Sequence, residues 1–188
     1  MLIATGAHYR RLDVPGLERF EGVSVRYAAT ESEPQVCRGD PVAVVEGGNS
    51  AGQAALSLSA TATKVHLLLR HADLGRDMSR YLVDQIEQNP KIEVHRNTEV
   101  RELVGGDTLE QIVVEEGTGG ERTTLSVRAL FVFIGAEPKT GWLDGQIALD
   151  DHGVFAAGDV RSGSVRRLAS AEGEGAMSVR LVHERLQA

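Results

Sequence analysis

The chain has 188 residues, 41% hydrophobic and 25% charged, the balance of one good-sized globular domain or a domain with appendages. A formal net charge of −7 disfavours sequence-independent binding to nucleic acid or to an anionic membrane, and the longest apolar runs, such as 129–134, are too short to span a bilayer. The single cysteine, Cys37, excludes an internal disulfide, a C-x-x-C redox pair and a cysteine-built zinc site; the N-terminal basic residues follow the apolar ones, which is not a secretory layout, so a cytoplasmic location is expected.

In chain order, residues 1–6 read as a truncated apolar strand ending in a glycine turn, and further chain is expected upstream of so early a strand. Residues 8–21 read as a polar loop with a Pro15-Gly16 turn, 23–29 as a short strand and 30–40 as a second loop. Residues 41–58 follow, with the apolar run Val42-Ala43-Val44-Val45, the pair Gly47-Gly48 and a small-residue helical pattern. Residues 64–69 form a second buried strand, and Met78, Leu82 and Ile86 predict a helix over 77–88, stopped by Asn89-Pro90. Strands at 92–95, 99–104, 109–115 and 123–127 come next, the last three separated by glycine-rich turns and so predicted to form an antiparallel meander. Residues 129–135 return as an apolar strand, 142–153 read as loop, 154–159 as a strand ending in a Gly-Asp turn, and 167–187 as a helix weakened by Gly173 and Gly175. The fold class expected is α/β: a Rossmann-like parallel sheet with an inserted antiparallel β-arm.

The 41–58 stretch carries the chemistry. Apolar strand, tight glycine turn and helix open a dinucleotide-binding βαβ unit, in which backbone N–H groups and the helix N-terminus face a pyrophosphate. Gly47, Gly48 and Ala51 shape that turn; Asn49 and Ser50 offer donors to phosphate or serve only as helix caps. Arg70 lies 22 residues after Gly48 at the end of the second strand, where an arginine suits the 2′-phosphate of NADP and an acid would suit the ribose of NAD. His71, Arg76 and Arg80 stand close by in sequence, the two arginines spaced to converge from one helix face or its entrance; a solvated basic surface is the alternative. His66 and His95 sit on predicted strands and read as structural, and no His/Asp/Glu spacing suggests a metal.

Four segments in order, LIATG at 2–6, the turn at 46–51, FIGAEPKT at 133–140 and VFAAGDVRSG at 154–163, together resemble the pyridine nucleotide–disulfide oxidoreductases, most closely the thioredoxin reductase-like flavoproteins. The resemblance implies an NADPH domain inserted within an FAD domain: residues 23–140 as the NAD(P)H-binding domain, 1–22 and 141–188 as partial FAD-domain remnants. It implies NADPH and FAD as cofactors, with Gly158 and Asp159 facing the ribityl chain of the flavin and Gly135 and Pro138 shaping the crossover between domains. The expected partners are a nicotinamide nucleotide and either a separate FAD domain or a second copy in a homodimer, with no nucleic acid and no membrane.

The chain departs from the family pattern in four ways. The FAD-binding G-x-G-x-x-G is absent from this sequence. The redox C-x-x-C positions fall on Ala29, Thr30, Glu31 and Ser32, so no dithiol relay runs through this chain and Cys37 reads as an inert thiol. The nucleotide fingerprint, G-x-G-x-x-A in the family, reads Glu46-Gly47-Gly48-Asn49-Ser50-Ala51, and a carboxylate beside a pyrophosphate costs about 1 kcal/mol in water and about 4 at an effective dielectric of 20. The connection before Val154 is short. Two readings follow: an NADPH-dependent flavoprotein oxidoreductase without a dithiol and without catalytic side chains of its own, represented by a partial chain; or a non-catalytic NADP-binding module, degenerate or completed by a separate FAD domain.

Overall fold

The structure, a computed structural model, describes residues 2–3, 6–27, 37–117, 119–138, 155–156 and 168–186. In chain order the elements are β1 (Leu2–Ile3), β2 (Ala7–Tyr9), α1 (Leu17–Phe20), β3 (Val25–Arg26), β4 (Pro41–Val45), α2 (Asn49–Ser59), β5 (Lys64–Leu68), α3 (Arg80–Glu87), β6 (Ile92–His95), β7 (Thr98–Gly105), β8 (Leu109–Glu116), β9 (Arg122–Ser126), β10 (Ala129–Val132), β11 (Ala136–Pro138), β12 (Phe155–Ala156) and α4 (Leu168–Leu186). They divide into two compact units, Arg11–Ile134 and the pair of segments Met1–Arg10 and Gly135–Ala188. Among the described residues no helix is long and apolar enough to cross a membrane.

The Arg11–Ile134 unit is built on a parallel five-stranded sheet in the order β3-β10-β4-β5-β6. The central strands β4 and β10 are apolar throughout and covered on both faces, as parallel strands must be. Counted from β4, the order is 3-2-1-4, with β3 outside, so the chain reverses its direction of travel between β4 and β10. Nucleotides bind at the carboxyl ends of such strands, at that reversal.

Alternate side chains of β4 feed two different cores. Val42 and Val44 point to the helices, where Ala51, Ala55 and Leu58 of α2 meet Leu82, Val83 and Ile86 of α3. Close approach of the two helices depends on Gly52: a Cβ there would lie 2.8 Å from the sulfur and methyl of Met78. Ala43 and Val45 point to the other face, onto Val100, Leu103, Ile112 and Val114 of the antiparallel arm β7-β8-β9. The parallel sheet with its inserted antiparallel arm is therefore as the sequence predicts.

Several boundaries differ from expectation. The 8–21 stretch is not all loop: Leu17 and Phe20 of α1 are buried in the arm-side core, which ties residues 11–22 to this unit. Helix α3 begins at Arg80, three residues later than its apolar spacing suggests. Asp73 Oδ1 accepts from the Gly75 N–H at 2.8 Å and Ser79 has extended backbone, so Met78 reaches the core from a turn. The strand predicted over 129–135 splits, because Gly135 takes φ 101° between β10 and β11. Strand β3 has two residues, and α4 runs unbroken through Gly173 and Gly175.

In the other unit, β1 pairs in parallel with β12 and β2 pairs antiparallel with β11. Gly135 closes the second pair by accepting from the Arg10 N–H at 2.9 Å, and the Arg10 guanidinium donates to Glu137 at 2.9 Å. The predicted loop at 142–153 lies outside the described residues.

Candidate functional site

Strand β4 ends at Val45, and the chain turns through Glu46 and Gly47 to Gly48, the N-cap of α2. The turn requires a left-handed residue, and Glu46 supplies it at φ 98°. That conformation costs a non-glycine residue about 1–3 kcal/mol, which is the physical reason for a glycine at this point of the family fingerprint. The Glu46 N–H still donates to Leu68 O at 3.0 Å, so the substitution leaves the path of the turn intact. Gly48 has nothing within 4 Å of where a Cβ would project, and no side chain caps α2. The amide end of an eleven-residue helix thus faces open space, the arrangement that receives a phosphate.

The other turn residues divide their work. Asn49 is the first helical residue, and its side-chain oxygen accepts from the Ser79 N–H at 2.7 Å, tying α2 to the start of α3. Ser50 is exposed on the first turn, while Ala51 is fully buried in the helix-side core and so supports the turn from behind. Gly47 is buried, and a Cβ on it would meet Leu69 at 2.8 Å and the His71 ring at 3.4 Å. No side chain fits at Gly47, because Leu69 and His71 occupy the space a Cβ would need.

Around this turn each predicted cation has an acid beside it. Glu46 Oε1 accepts from both Nε and Nη2 of Arg70, at 2.7 and 2.6 Å, and the carboxylate side chain is only 17% exposed. Asp77 lies 3.4 Å from His71 Nε2 and 3.6 Å from Arg76 Nε. Arg80, on the first turn of α3, pairs with Asp84 at 2.8 Å rather than converging with Arg76. Both ring nitrogens of His71 are buried without a hydrogen-bond partner. A cavity of about 520 Å³ opens beside Arg70, lined also by Asn97, Glu99, Glu116, Gly117 and Glu121. Sequence reading missed these three glutamates because they come from the arm, 29 to 51 residues beyond Arg70, and no local motif announces them.

Gly135 sits at the boundary of the two compact units with its positive φ, and Gly158 and Asp159 lie outside the described residues, as do positions 29–32. Cys37 is buried in the helix-side core beside β4.

The pyridine nucleotide-disulphide oxidoreductase family profile matches residues 1–175. The chain belongs to that family. It is 35% identical over 206 residues to a thioredoxin reductase of Pneumocystis carinii, an alignment covering all of this chain and 62% of the relative. With the NADPH-dependent thioredoxin reductase 3 of Arabidopsis thaliana it shares 34% identity over 197 residues, 95% of this chain and 37% of that one. Its fold superposes on the crystal structure of Lactococcus lactis thioredoxin reductase, FR conformation, with a TM-score of 0.83 at 27% identity, covering 97% of this chain and 64% of the other. The chain thus spans 62% of the Pneumocystis carinii reductase and 64% of the Lactococcus lactis one, and is a thioredoxin reductase-like member of the oxidoreductase family.

The residues fit a pyridine nucleotide in part. The open face over Gly48 and the uncapped α2 terminus suit a pyrophosphate, while the His71 ring nitrogens are buried, with Nε2 beside Asp77. Against these, the one arginine on the cavity is already held by Glu46. Exposed ion pairs such as Arg76–Asp77 yield to a ligand for about 1 kcal/mol or less, whereas Glu46 must be left behind, largely buried, if Arg70 turns away.

Proposed function

We propose that the Arg11–Ile134 unit binds NADPH as the nucleotide domain of a thioredoxin reductase-like oxidoreductase, and that Met1–Arg10 and Gly135–Ala188 belong to its FAD domain. The observation that carries this is the uncapped amide end of α2 behind an open Gly48, at the carboxyl end of β4 where the sheet order reverses. The similarity to the NADPH-dependent thioredoxin reductase 3 of Arabidopsis thaliana supports the choice of nucleotide.

In this reading Gly48, Asn49 and Ser50 present backbone N–H groups to the pyrophosphate, and Ala51 and Gly47 set the distance of the helix behind them. Arg70 and Arg76 meet the 2′-phosphate, with His71 as a further donor at the turn. Gly158 and Asp159 hold the ribityl side of FAD by resemblance. Bound together, NADPH and FAD would supply hydride-transfer chemistry, and the part of this chain's residues would be orientation and exclusion of water rather than proton transfer. With Cys37 alone and buried, the electrons leave by a route other than a dithiol within this chain, to a quinone, oxygen or a partner protein. The nucleotide partner is NADPH; a separate FAD domain or a second copy completes the flavin site, and the cytoplasm is the compartment.

The Glu46–Arg70 pair favours a second reading, a nucleotide-binding module with no turnover of its own, because the cation meant for phosphate carries an internal anion. One titration separates the two. Gly48 already has ordinary extended backbone, φ −79° and ψ 173°, so Gly48→Val fills the cradle at a folding cost of about 1 kcal/mol. Fluorescence titration is expected to show saturable NADPH binding that Gly48→Val weakens more than tenfold, with the unfolding midpoint lowered by about 2–4 °C. Equal binding by the variant overturns the cradle assignment. Nucleotide binding without flavin absorbance or NADPH consumption supports the module.

A further inference from the structure

The sheet brings one side chain of β5 against two side chains of β6 that lie 27 and 29 residues further along the chain. His66 on β5 stands in register with Glu93 on the edge strand β6, and Leu68 stands in register with His95. Because side chains alternate along a strand, His66 shares a face with Leu68 of the arm-side core, and Glu93 and His95 share the same face of β6. On that face His66 Nδ1 lies 3.0 Å from His95 Nε2 and 3.7 Å from Glu93 Oε2, while His95 Nε2 lies 3.8 Å from Glu93 Oε1.

We propose that His66, Glu93 and His95 form a binding site for a zinc-type divalent ion. Tetrahedral zinc with bonds of about 2.0–2.1 Å sets its ligand atoms about 3.3–3.4 Å apart; here the two nitrogens lie 3.0 Å apart, the carboxylate lies 3.7 Å from His66 through Oε2 and 3.8 Å from His95 through Oε1, and one ligand atom from each residue lies within 4.8 Å of the others. The donor set, two imidazole nitrogens and one carboxylate, is one that zinc takes with a fourth position left to water. The pocket has a dry and a wet side: His66 is 7% exposed at the back, and the Glu93 side chain is 45% exposed at the mouth, so an ion can enter.

Without a metal the cluster has a simpler use: one imidazole donates to the other, and the Lys64 ammonium pairs with Glu93. Lys64 and Glu93 are both about half exposed, so an incoming ion displaces that ammonium at small cost. The charge of Glu116 on β8 also acts on His95 and favours a cation there. Bound, the ion would staple the edge strand β6 to β5 from the arm side.

The test uses the full chain without a histidine tag, stripped with a chelator and titrated with zinc by calorimetry, then with cobalt(II) by visible absorption. The expected result is one equivalent of zinc, the intense visible bands of tetrahedral cobalt, and an unfolding midpoint that rises with zinc concentration. His95→Gln and Glu93→Gln should each weaken binding at least tenfold; the second is an exposed substitution that leaves the histidine contact and the fold in place. Zinc binding of equal affinity in both variants would assign it to other histidines and overturn the proposal, as would the absence of stoichiometric binding or a weak octahedral cobalt spectrum.

Discussion

The floor and the rim of the β4–α2 turn are separated by a few residues and follow different rules. On the floor, Ala51, Gly52, Ala55 and Leu58 of α2 agree with one another and with the helix and strands they touch: small residues where α3 comes close, a large one where the sheet leaves room. On the rim, Glu46 holds a conformation that favours glycine, Arg70 is bound to Glu46, and His71 has two buried nitrogens with no hydrogen-bond partner. Packing specifies the fold through volume, spread over many residues. Ligand preference depends on a few charges, and one residue at Glu46 inverts the local balance while the backbone path stays the same.

If that division holds, a floor substitution unfolds the unit and a rim substitution does not. Phe131, fully buried between β4 and β3 in the helix-side core, makes the sharper case for the floor. Phe131→Ala should lower stability by about 3–5 kcal/mol in urea denaturation. A loss under about 1 kcal/mol would mean that the floor is loosely packed and that the contrast with the rim is false.

The rim is tested by a double-mutant cycle. Glu46→Gly relieves the positive φ and removes the Arg70 pair, two effects of about 1 kcal/mol each that oppose one another in stability. Its effect on NADPH should be larger, about tenfold or more in affinity, because a carboxylate leaves the turn and an arginine is released. Arg70→Ala should narrow the NADPH-over-NADH preference only slightly in the native background and clearly in the Glu46→Gly background. Equal effects of Arg70→Ala in both backgrounds would show that Glu46 does not restrain the arginine.

The same division explains what could be read from the sequence. The strands β4, β5 and β10 and the arm were legible because burial on two faces or on one writes itself as an apolar run or an alternation. The α2 turn was legible through its glycines. The start of α3 was not, since Met78 continues the apolar spacing of the helix from a turn held by Asp73. Nor was the pairing of Arg70 with Glu46, because which acid faces which base is set by side-chain directions at the ends of separate strands. The His66–Glu93–His95 cluster is the plainest instance: Glu93 and His95 are two apart, but His66 joins them only through the register of β5 on β6. Pairing of strands, not spacing in the chain, assembles such groups.

The arm offers the smallest effect and a rim of the opposite kind, where charge and fold agree. Glu115 on β8 accepts from Arg122 Nε on β9 at 2.9 Å, from the Gly119 N–H at 3.0 Å and from Arg101 Nη2 on β7 at 3.3 Å, so one carboxylate fastens three strands. The Arg122 hydrogen bond foremost, then the Gly119 amide and Arg101, hold its carboxyl below the ordinary value of 4.5. A carboxyl lowered by folding stabilises the native state above the unfolded value, and that contribution fades as pH falls from about 4.5 through the folded one. Glu115→Gln should therefore melt below the native chain at pH 7, with the gap closing as the pH is taken under 4.5 and NADPH affinity changed little throughout. A gap that stays constant across that range would show that the charge of Glu115 contributes nothing and that the arm is held by its ladder and its apolar face alone.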